Sequence, residues 1–119
     1  MKINRLIPLL FSILFSFFLT ALHAQDGKHK LSIADSSKPI QVVDVACGSC
    51  KFGMKGKGCA LAVKINDKPY YVDGASIDNY GDAHAKDGLC NKVRKAEVQG
   101  KVVKDKYKVT YFKLLPESR

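Results

Sequence analysis

Alternation is the strongest pattern in the second half of the chain. Ala96, Val98, Gly100 and Val102 alternate with Lys95, Glu97, Gln99 and Lys101, and after a polar turn at Lys104-Asp105-Lys106 the alternation resumes at Tyr107, Val109 and Tyr111. A period of two sustained this long predicts two half-buried strands joined as a hairpin, ending before Pro116. A second hairpin is predicted over residues 60–73: Leu61, Val63 and Ile65 alternate with Ala62 and Lys64, Asn66-Asp67-Lys68 turns, and Tyr70-Tyr71-Val72 returns. Pro69 falls at the start of that return, where no ladder donor is needed. Upstream, Pro39 opens the β-branched run Ile40-Gln41-Val42-Val43-Asp44-Val45-Ala46; its alternation slips at Val42-Val43, which predicts a strand with a bulge there.

Two stretches break the period. From Cys47 to Cys59, Gly48, Gly53, Gly56 and Gly58 intersperse with Lys51, Lys55 and Lys57, which favours irregular backbone and argues against a helix starting at Cys47. From Ser76 to Val93 the strand signal is lost; Asp82 can cap a helical turn through Lys86, and Leu89, Cys90 and Val93 lie at helical spacing, with Gly81 and Gly88 keeping any helix short. The resulting order is strand, Cys loop, strand, strand, short helix, strand, strand. It predicts a mainly β domain, a small five-stranded OB-like barrel with a short helix between strands 3 and 4, the alternative being an open α+β antiparallel sheet.

The first 24 residues follow different rules. Lys2 and Arg5 precede an apolar run from Leu6 to Leu22, four of the six Phe fall between Phe11 and Phe18, and Ala24 puts a small residue before the polar Gln25-Asp26-Gly27. This is the layout of a secretory signal peptide over residues 1–24, although Leu22 is bulkier than the residue usual at that distance from the cut. Pro8 and the shortness of the run argue against a membrane span, and with no Cys before Cys47 there is no acylation site near the cut. Residues 25–38 are polar and read as a flexible lead-in, and residues 39–116 as one small β domain, periplasmic or secreted. Losing Lys2 and Arg5 leaves 18 basic against 11 acidic residues, about +7. In the cytoplasm such a charge on a Tyr-bearing barrel would suggest single-stranded nucleic acid. Export removes nucleic acid and leaves an anionic envelope polysaccharide, phosphate headgroups or an acidic protein as the expected kind of partner. The plainer alternative is that alternate tyrosines pack the barrel while lysines solvate its outside.

Four cysteines in so short an exported chain point to cross-links that supplement a small core. Their spacing is C-x2-C-x8-C-x30-C, with Cys47 ending the first strand, Cys50 and Cys59 in the glycine segment and Cys90 after the helical turn. Three chemistries fit. Two disulfides would staple the domain, and sequence alone leaves three pairings open. A thiolate site of Cys47, Cys50, Cys59 and Cys90 would bind a soft ion, Zn²⁺ or Cu(I), with backbone N–H groups in 48–53 donating to sulfur and Lys51 and Lys55 offsetting the negative charge. Cys47-Gly48-Ser49-Cys50 also has the two-residue gap of dithiol exchange proteins. His84, set among Asp78, Asp82 and Asp87, is an auxiliary candidate ligand. No nucleophile and base stand at a recognisable spacing, so catalytic residues are not assigned.

The segments Cys47-Gly-Ser-Cys50-Lys-Phe52-Gly-Met-Lys-Gly-Lys-Gly-Cys59, Tyr71-Val-Asp-Gly74 and Gly81-Asp-Ala-His84-Ala-Lys-Asp-Gly88-Leu-Cys90 resemble those of a family of small exported bacterial proteins of unknown function. The resemblance implies a bacterial envelope protein and brings no activity with it. The functional expectation is therefore an exported binding or structural module organised by a four-cysteine cluster, with thiol–disulfide exchange through Cys47 and Cys50 as the alternative.

Overall fold

A computed structural model describes residues 31–56 and 58–117. The expected signal peptide and the first residues of the lead-in lie outside the described residues. Five strands are present, β1 (Gln41–Cys47), β2 (Leu61–Ile65), β3 (Lys68–Asp73), β4 (Arg94–Val103) and β5 (Lys106–Leu114), with a four-residue helix α1 (Gly48–Lys51) and a 3-10 turn at Ile77–Tyr80. They close in the order β1-β2-β3-β5-β4, so the sheet is a barrel and not open. Every pairing is antiparallel except β3 with β5, where Tyr71 stands opposite Lys106 and Asp73 opposite Lys108. The architecture is the expected OB-like one.

Both hairpins form at the expected turns. Asn66, Asp67, Lys104 and Asp105 have φ of 51°, 66°, 49° and 64°. Two consecutive left-handed residues make a turn whose twist matches that of the flanking strands.

Two local expectations are corrected. The β1–β4 register runs unbroken from Gln41 opposite Val98 to Val45 opposite Arg94, so no bulge falls at Val42-Val43. Val42 is instead an apolar residue left exposed where β1 has not yet met β2, whose pairing begins at Val45. The register shift lies between Gln99 and Gly100, opposite β5. The helical segment between β3 and β4 is the 3-10 turn, capped by the Ser76 hydroxyl accepting from the Asp78 N–H, earlier in the chain than expected. Asp82 closes a tight turn, its carboxylate accepting the His84 N–H at 2.9 Å.

The interior is filled by alternate strand residues: Val45, Cys47, Leu61, Val63, Ala96, Val98, Tyr107 and Val109 share one buried cluster with Ile77, Leu89, Cys90 and Phe112. The Tyr80 and Phe112 rings meet at 4.4 Å between centroids. Residues 31–38 carry no regular element but are tied down by Gln99, a buried side chain that accepts the Asp35 N–H at 2.8 Å and donates to the carbonyls of Asp35 and Lys38 at 2.9 Å each. No helix among the described residues is long and apolar enough to cross a membrane.

Candidate metal centre

The four cysteines are drawn together by backbone, from three separate segments. β1 ends at Cys47, whose side chain points into the core and is wholly buried. Its N–H donates to the Leu89 carbonyl at 2.8 Å, which fixes the end of β1 against the residue before Cys90. The next N–H, of Gly48, donates to Ala60 at 2.9 Å and so fixes the same point against the residue after Cys59. Cys47 and Gly48 are thus the junction at which all three segments meet.

The chain then turns as α1, contrary to the expectation that glycine would prevent a helix there. A single turn is closed by the Phe52 N–H on the Gly48 carbonyl at 3.1 Å, with the Met54 N–H on the same oxygen. Packing selects this turn over intrinsic propensity. A Cβ on Gly48 would stand 2.6 Å from the Tyr71 ring, 2.9 Å from the Met54 sulfur and 3.2 Å from Ala62, so only glycine lets the segment lie flat on the outer face of β2 and β3. Cys50 rides on this turn, exposed.

Cys90 is placed by the turns that follow Gly81. Its N–H donates to Ala83 at 2.9 Å, the Asn91 side chain donates to the carbonyls of His84 and Ala85, and Gly88 packs where a Cβ would run into the carbonyl oxygens of Asp82 and Ala83. The Asn91 bond also fixes the backbone at His84, a ring nitrogen of which lies within 4.8 Å of the Cys90 sulfur.

The ligand atoms form two overlapping groups. Those of Cys47, Cys50 and Cys90 all lie within 4.8 Å of one another, and so do those of Cys59, His84 and Cys90. Cys90 is the member common to both. Its sulfur is 2.6 Å from that of Cys59, longer than a covalent S–S bond of about 2.05 Å, and all four cysteines are free. The structure therefore gathers the four cysteines into two groups joined at Cys90, and places His84 in the group of Cys59 and Cys90.

The sulfurs are electrostatically unequal. Burial pushes the Cys47 thiol up, but hydrogen bonds from the Ser49 hydroxyl, the Cys50 thiol and N–H, and the Cys59 thiol outweigh it and bring the group from 9.0 down to about 6. Ser49 has one hydroxyl proton for two neighbours, the Gly58 carbonyl at 2.7 Å and the Cys47 sulfur at 3.5 Å. Cys90 moves the opposite way, raised by desolvation and then by its contacts with Cys59 and Cys47. For Cys59 the hydrogen bond with Cys90 pulls down, yet desolvation and the neighbouring Cys47 leave the thiol raised. One thiolate beside raised thiols is the pattern of a crowded anionic site, in which ionising one sulfur opposes ionising the next.

Some details differ from the sequence reading. Of the backbone donors expected from 48–53, the N–H of Cys50 serves the Cys47 sulfur, whereas those of Gly48 and Phe52 are used in backbone bonds. Lys51 and Lys55 are exposed and make no ion pair among the described residues. Ser49 is a sulfur partner that the cysteine spacing does not point to; its signal in the sequence is a hydroxyl residue between two cysteines. Thiol exchange through Cys47 is poorly served, because the most thiolate-like sulfur is the one shut away from any incoming disulfide.

Residues 41–115 match the model of a family of unknown function (DUF6370), and the chain belongs to that family. No curated protein and no solved structure matches the chain.

Proposed function

We propose that this member of the DUF6370 family is a small exported binding module whose cysteines hold a soft metal ion, Zn²⁺ or Cu(I), at one end of the barrel. The observation that carries the reading is the pair of ligand groups sharing Cys90, each within 4.8 Å. Thiolates at about 2.3 Å from a tetrahedral ion sit roughly 3.7 Å apart, a spacing this clustering accommodates with small side-chain movement. Cys47, Cys50 and Cys90 supply three ligands, and Cys59 or His84 the fourth. Four protein ligands leave no open coordination position, which favours a binding or structural role over catalysis. The charged start, apolar run and small residue at Ala24 support export.

Titration of the reduced protein with Zn²⁺, and separately with Cu(I), tests this. One equivalent is expected, bound tightly by the native chain and lost in Cys90→Ser, which removes a ligand from both groups. Cys59→Ser should retain weaker uptake through Cys47, Cys50 and Cys90. Protein purified without reductant that lacks four hydrogens, and takes up no metal after reduction, would replace the metal centre with two structural disulfides.

A further inference from the structure

The opposite end of the barrel is chemically unlike the cysteine end. β3 and β5 run parallel, so the turns that precede them, at 66–67 and 104–105, share one end, while Cys47 and Leu61 pair at the other, where β1 stops and β2 starts. At the β4–β5 tip, Lys101, Lys104, Lys106 and Lys108 are all exposed and form no ion pair among the described residues. Asp105 is the single acid in this stretch, and Asp73 flanks Lys108 on β3.

The register sharpens the point. Lys101 stands directly opposite Lys108, and Val103 opposite Lys106, which puts three lysines and a valine on one outward face. A like-charge pair across two strands destabilises a hairpin, so nothing in folding favours it. Val102 and Val103, on opposite faces of β4, are 44% and 38% exposed, so the tip projects with aliphatic side chains open to solvent on both sides.

We propose that this tip docks on the surface of an anionic phospholipid bilayer, lysines meeting phosphate headgroups and the two valines entering the boundary between headgroup and acyl chain. Cationic side chains around a small apolar element are the combination that a charged lipid interface selects. A soluble polyanion would engage the lysines alone and leave Val102 and Val103 in water, whereas a lipid interface covers both. Docking in this way turns the cysteine end away from the membrane. The inference stands on the tip alone and does not require the metal centre.

The test uses a chain beginning at Gln25, which omits the expected signal peptide and keeps every described residue, with phosphatidylglycerol and phosphatidylcholine vesicles, at low and high salt, followed by co-sedimentation. Binding is expected to the anionic vesicles alone and to fall steeply with salt. Lys101→Glu combined with Lys106→Glu should weaken it by more than about 25-fold, since each lysine near such a surface contributes about fivefold. Val102→Ser with Val103→Ser should weaken binding at every salt concentration while leaving its salt dependence in place. Circular dichroism confirms that both variants fold. Failure to bind anionic vesicles, equal binding to both lipids, or binding indifferent to the charge reversal overturns the proposal. Dextran sulfate bound as tightly as the vesicles, with the valine pair dispensable, would also overturn it and assign the face to a soluble polyanion.

Discussion

At the scale of single residues, Cys47 sets the acid–base behaviour of the cluster. Its thiol is lowered from 9.0 to about 6, so between these values the native state leaves this sulfur ionised while the unfolded chain keeps it protonated. The stabilisation is fully present above the unfolded value and disappears as pH falls through 6. Cys59 and Cys90 are raised, so their contribution is present below their unfolded value and is lost only at more alkaline pH. The reduced, metal-free protein should therefore become more stable from pH 6 to 9 and then turn over. Urea unfolding across that range with reductant present measures this, and Cys47→Ser should flatten the rise. Metal binding at neutral pH should release protons from Cys59 and Cys90, seen as a calorimetric heat that depends on the buffer. Gly48 is the second decisive residue. Gly48→Ala forces a methyl against the Tyr71 ring and should cost about 1–3 kcal/mol, with the Cys loop lifting from the sheet.

At the scale of elements, the hairpin turns and the lead-in are open to test. Lys104 and Asp105 hold left-handed backbone that neither residue favours as well as asparagine and glycine do. Lys104→Asn with Asp105→Gly should stabilise the protein by about 1 kcal/mol, a Tm rise of roughly 4–8 °C. Gln99→Ala should remove three hydrogen bonds that hold Asp35 and Lys38, at a cost of about 1–3 kcal/mol, and hydrogen exchange should accelerate within residues 31–38.

These elements also show how legibility varies along the chain. Strands that alternate regularly, such as Leu61 to Ile65, were readable because one face goes to the core. The end of β5 was not, because Tyr111 and Phe112 are both buried: Phe112 joins the core, while the Tyr111 hydroxyl donates to Glu97. Gln99 gave no sign of burial, since a polar residue in an alternating run reads as outward until a segment distant in sequence, here 35–38, covers it. The four cysteines and His84 were readable as a set from residue type, whereas α1 depends on tertiary fit around Gly48, which no local propensity encodes.

At the scale of the whole molecule, the barrel separates a sulfur-lined end from a lysine-bearing end and joins them with a small core. An ion held by the cysteines, as proposed, would link the end of β1, the Cys loop and the turn before β4, so metal should stabilise the fold by mass action. At a free concentration about 100 times Kd the gain is about 2.7 kcal/mol. That corresponds to a Tm increase on the order of 10 °C, reversed by a chelator. Convergence of the sulfurs on one ion is tested most directly by X-ray absorption at the zinc edge of the loaded, reduced protein. Three or four sulfur scatterers at about 2.3 Å, with at most one imidazole nitrogen, is the result expected. A shell of oxygen and nitrogen alone would contradict it.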